Sequence, residues 1–97
     1  MHKLIVQYFE PTDGDDFIAA YRERHVPLVK AIPGLERFTM TLTRGEGAPY
    51  LVAELWFADG ESMKAGLSSP EMEAAGADAD TYDVARRAMF SGAVEDV

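Results

Sequence analysis

Apolar and polar positions along this chain switch period several times, and each switch marks an element. His2 to Phe9 (HKLIVQYF) is rich in β-formers and is closed by Glu10-Pro11, which predicts an opening strand. Thr12 and Asp13 are candidate N-caps for a following helix, with Asp15 and Asp16 placed to favour its dipole. At 100° per residue, Tyr21, His25 and Ile18 all fall within about 100° of Phe17, so one apolar stripe carries His25 inward. This helix is expected to run to about Lys30. Pro27 removes a backbone donor and disfavours helical geometry at Val26, so a kink or restart is expected there.

Pro33-Gly34 reads as a turn, after which Glu36 to Thr43 alternates. Phe38, Met40 and Leu42 share one face of this second strand, and Arg37, Thr39, Thr41 and Thr43 the other. Gly45-Glu46-Gly47 suits a hairpin loop leading into Tyr50 to Phe57 (YLVAELWF), apolar on both faces except for Glu54. Asp59 can cap a short helix through Leu67. Ser69-Pro70 marks another start, with an end expected within Gly76 to Thr81, and Arg87 to Val94 reads as a closing strand. The order β-α-β-β-α-β spans residues 1–97 as a single α+β domain, a ferredoxin-like plait with an antiparallel sheet and helices on one side. The other sheet face carries apolar residues that so few helices cannot cover, and a homodimer packed sheet to sheet would bury them.

Composition narrows the partners. The 97 residues carry a formal net charge of -8, which would repel a phosphate backbone or an anionic membrane surface, so neither nucleic acid nor membrane is an expected partner. There is no cysteine, which removes disulfides, thiolate metal sites and a cysteine nucleophile, and agrees with a cytoplasmic setting. No apolar run is long enough to span a bilayer, and no leader pattern opens the chain. No G-x-G-x-x-G or G-x-x-x-x-G-K-[ST] phosphate cradle and no G-x-S-x-G occurs, and the two histidines lack metal-ligand spacing. No cofactor and no metal are expected, although haem on His25 stays open.

Three motifs in sequence give the chain a family likeness: HVPLVKAIPGL from His25 to Leu35, AELWF from Ala53 to Phe57, and SSPE from Ser68 to Glu71. In order and spacing they resemble the EthD family of the dimeric α+β barrel superfamily. The resemblance implies two plaits packed into a barrel, with a pocket between each sheet and its own helices. It also implies a small enzyme or accessory protein acting on ethers, aromatic or polyketide-like compounds, of the kind labelled reductase or monooxygenase without a visible cofactor.

The candidate chemistry centres on His25, whose ordinary pKa near 6.5 suits it to move a proton at cellular pH. The plain alternative is a core histidine bonded to a backbone carbonyl. Glu54 is the one charge in an apolar strand and needs a partner. It is expected to pair with His25 and fix its tautomer, or else to lie at a rim or bridge to Arg24 or Arg37. Tyr21 shares the face of His25 and could lend a hydroxyl. Tyr8, Phe38, Met40, Tyr50, Val52 and Trp56 supply bulky surface for binding a small hydrophobic molecule, or for core packing. Two functions are carried forward. One is a cofactor-independent enzyme acting on a small hydrophobic oxygenated compound by proton transfer, oxygenation or reduction. The other is a non-catalytic binder serving a partner oxygenase. A lone His25 with no matching carboxylate would favour binding, whereas a short His25–Glu54 contact opening onto a cavity would favour the enzyme.

Overall fold

The computed structural model describes residues 1–97, and its first element is strand β1 (His2–Pro11). The helical segment that follows has three parts: α1 (Gly14–Ala20), a π-helical turn (Tyr21–His25) and α2 (Val26–Lys30). Strands β2 (Leu35–Leu42) and β3 (Leu51–Phe57), helices α3 (Gly60–Leu67) and α4 (Pro70–Ala79), and strand β4 (Val84–Ala93) complete the chain. All strand pairs are antiparallel in the order β2-β3-β1-β4, which is the ferredoxin-like plait expected from the pattern. No helix is long and apolar enough to cross a membrane.

Three helix starts are fixed by side-chain caps. Asp13 accepts from the Asp16 amide at 3.0 Å, Asp59 from Ser62 at 2.8 Å, and Ser69 from Met72 at 3.1 Å. The expected break at Pro27 takes the form of the π-turn just before it. The Val26 N–H reaches back five residues to the Tyr21 carbonyl, so the backbone widens where proline would otherwise crowd the preceding turn. The chain therefore stays helical through Pro27 and keeps Phe17, Tyr21 and His25 buried on one side.

Strand alternation divides the sheet cleanly. Leu4, Val6 and Tyr8 of β1 and Leu51, Ala53, Leu55 and Phe57 of β3 face the helices and form the core with Phe17, Tyr21, Val29, Ile32 and Ala75. A bulge between Leu35 and Arg37 lets both Leu35 and Phe38 turn toward that core. The opposite face presents Ile5, Phe9, Val52, Trp56, Ala88 and Phe90 among polar residues, and no element of the chain lies over it.

Candidate functional site

Helix and sheet do not close completely, and between them lies a cavity of about 90 Å³. Its sheet wall comes from Leu4, Val6, Tyr8, Ala53, Leu55, Arg87 and Met89, and its helix wall from Tyr21, His25, Val29 and the α4 residues Met72, Ala75, Gly76 and Ala79. Met89 is 59 % exposed, so the cavity opens between α4 and β4.

His25 is the buried polar residue of this wall, at 6 % exposure. Its ring lies 4.7 Å from that of Tyr21, and its Nδ1 is 3.1 Å from Oδ2 of Asp78 on α4. The same carboxylate accepts from the Tyr82 hydroxyl at 2.6 Å and from Arg24 Nε at 3.2 Å. Arg24 also donates to Thr81, whose hydroxyl donates to the Asp78 carbonyl, so the end of α4 is tied to the π-turn by side chains of both.

The electrostatics of this cluster have one consistent sense. Burial pulls the His25 pKa down and outweighs the upward pull of Asp78, with Arg87 adding to the fall. Burial alone would raise Asp78, but the hydrogen bonds from Tyr82, His25 and Arg24 prevail and hold its carboxyl below the usual range. The contact at neutral pH is thus a neutral imidazole donating Nδ1–H to a carboxylate. Nε2 is left unprotonated, with its lone pair, on a ring that lines the cavity. Burial pushes the Tyr8 phenol up to about 12 and the Tyr21 phenol higher still, so both hydroxyls in the cavity wall stay protonated donors.

The expected partner of His25 is not the one found. Glu54 lies on the opposite face of the sheet, because its neighbours Ala53 and Leu55 point to the helices and strand side chains alternate. Its Oε1 accepts from the Lys3 Nζ at 2.7 Å, while of the two arginines suggested as partners Arg24 is bound to Asp78 and Arg37 lies over the Trp56 ring. Val52 and Trp56 share the face of Glu54 and are corrected with it. Trp56 lies between the cations of Lys3 and Arg37, at 4.5 and 5.3 Å from its ring. Phe38, Met40 and Tyr50 pack on the helix side of the sheet but stop short of the cavity. Tyr8, Tyr21 and His25 are the expected residues that the fold brings together there.

Asp78, Tyr82 and Arg87 were not expected at this site from the sequence, and Arg24 was expected only as a possible partner of Glu54. Asp78 and Tyr82 stand four apart, a helical spacing that straddles the end of α4, and that spacing is the signal that pairs them.

A model of the EthD domain matches residues 10–82, about three quarters of the chain and all of the elements that build the His25 cluster. The chain belongs to the EthD family. An 11.0 kDa protein of Rhodococcus erythropolis, encoded between thcB and thcC, is 30 % identical over 86 residues, 84 % of either chain. The crystal structure of an EthD family protein from Bacillus halodurans superposes with a TM-score of 0.87 at 31 % identity, covering 98 % of this chain and 99 % of that one. A variant of SnoaB, a cofactor-independent oxygenase from Streptomyces nogalater, shares the fold at a TM-score of 0.70 and 13 % identity, covering 99 % and 94 %.

Proposed function

We propose that this EthD protein is a cofactor-independent enzyme that moves protons on a small hydrophobic oxygenated compound held in its cavity. His25 acts as the acid and base through Nε2, and Asp78 is the positioning residue that fixes the Nδ1–H tautomer. The observation that carries this reading is the 3.1 Å contact of His25 with an ionised carboxylate beside an apolar cavity. A lone histidine would have favoured simple binding, whereas a carboxylate-oriented imidazole is what general base catalysis uses. Tyr21 and Tyr8 lend hydroxyl donors to the same space. The family relationship and the fold shared with a cofactor-independent oxygenase support a small-molecule role of this kind. The working form is a homodimer closed over the open sheet face, which carries Trp56 and the exposed Phe90.

Hydrogen–deuterium exchange at the activated carbon of 2-tetralone, followed by NMR in D₂O, tests the reading without knowledge of the natural substrate. The wild type should accelerate exchange by roughly 100-fold or more, the ordinary contribution of a placed general base. His25→Gln should return the rate to that of buffer, and Asp78→Asn should fall between the two. An unaccelerated rate with the wild type would contradict general base catalysis by this cavity.

A further inference from the structure

Arg87 is the one permanent cation in the cavity wall, an unusual addition to a lining that is otherwise mostly apolar in a chain of net charge -8. It comes from the sheet wall, opposite Tyr8 in the β1–β4 register, while His25 comes from the helix wall. Its Nη2 donates to Asp80 at 2.7 Å. That carboxylate is 71 % exposed, so the pair is open to solvent and holds the guanidinium only loosely. One of five guanidinium N–H donors is engaged there, and the others have no hydrogen-bond partner in the chain, on a residue that lines the cavity. A base, a cation and a phenolic donor thus converge on one small apolar space.

We propose that the cavity takes a weakly acidic ring compound, an enol or a phenol, and holds it as the oxyanion against Arg87 with Tyr8 as a second donor. The proposal rests on the proton-transfer reading of His25. In the step it describes, the ligand O–H bond breaks and its proton passes to Nε2 of His25. The electron pair stays on the oxygen, and no electron is gained or lost. The resulting imidazolium is balanced by Asp78 and the oxyanion by Arg87, so each charge formed has an opposite charge already placed beside it.

A pair of probes of nearly equal shape separates this from simple hydrophobic binding: 4-nitrophenol and its methyl ether, 4-nitroanisole. At pH 7 the wild type should bind the phenol tighter by roughly tenfold or more, the range of a hydrogen bond to a charged group. The bound dye should show phenolate absorption at a pH where the free dye is still largely phenol. Arg87→Gln should abolish both the preference and the spectral shift, and Arg87→Lys, which keeps the charge, should recover part of each. Circular dichroism of the variants shows that the fold is retained. Equal affinity for the two probes, a bound dye that stays neutral, or a preference untouched by Arg87→Gln would each overturn the oxyanion proposal while leaving His25 chemistry to the exchange experiment. Failure of the wild type to bind either probe would overturn the proposal and the cavity reading together.

Discussion

At the scale of single residues, His25 and Asp78 make a joint statement about pH. The folded state holds His25 below its ordinary 6.5, so the unfolded chain binds a proton there more readily, and stability falls as pH drops through 6.5. Asp78 is held below 3.8, so its contribution is present above that value and is lost on further acidification. Thermal unfolding from pH 8 to pH 5 should therefore show a falling Tm, with a shallower fall in His25→Gln; an unchanged slope would mean that the imidazole titrates as it does in water. His25 itself was legible from its inward helical phase. Its partner was not, because an isolated charge in AELWF attracted the pairing to Glu54, while strand alternation sends that side chain to the other face. Asp78 sits near the end of a helix poor in large apolar residues, where the pattern alone gave little phase to read.

Among the elements, the strands and caps were readable because each obeys a local rule: period-two alternation for β2, and Asp or Ser before the first helical turn at Asp13, Asp59 and Ser69. The form of the break near Pro27 was not, since a π-turn depends on what the widened backbone packs against as well as on the proline. Two glycines in neighbouring helices should answer substitution with opposite sign. A Cβ on Gly66 would meet the Pro33 carbonyl oxygen and the Phe57 ring at 2.8 Å, whereas one on Gly76 would meet nothing within 4 Å. Chemical denaturation should find Gly66→Ala destabilised by about 1 to 3 kcal/mol through overpacking. Gly76→Ala should gain about 0.4 to 1 kcal/mol from helix propensity and lost unfolded-state entropy. Because Gly76 also lines the cavity, Gly76→Leu should fold and yet exclude ligands; binding unchanged by that leucine would place the ligand elsewhere.

For the whole molecule, the plait leaves one sheet face without a covering layer, and the sequence already implied this from the doubly apolar YLVAELWF strand. Light scattering at micromolar concentration should give a dimer mass, and Phe90→Glu on the open face should shift it toward the monomer; a monomeric wild type would remove the barrel arrangement. Helix, sheet and the α4 carboxylate meet in one claim, that His25 is a neutral base with its proton on Nδ1 and a free Nε2 toward the cavity. Long-range ¹H–¹⁵N correlation spectra of the His25 ring at pH 7 test it most directly. A protonated Nδ1 and an unprotonated Nε2 are expected, with that tautomer weakened in Asp78→Asn. A proton on Nε2 or a doubly protonated ring at that pH would contradict it.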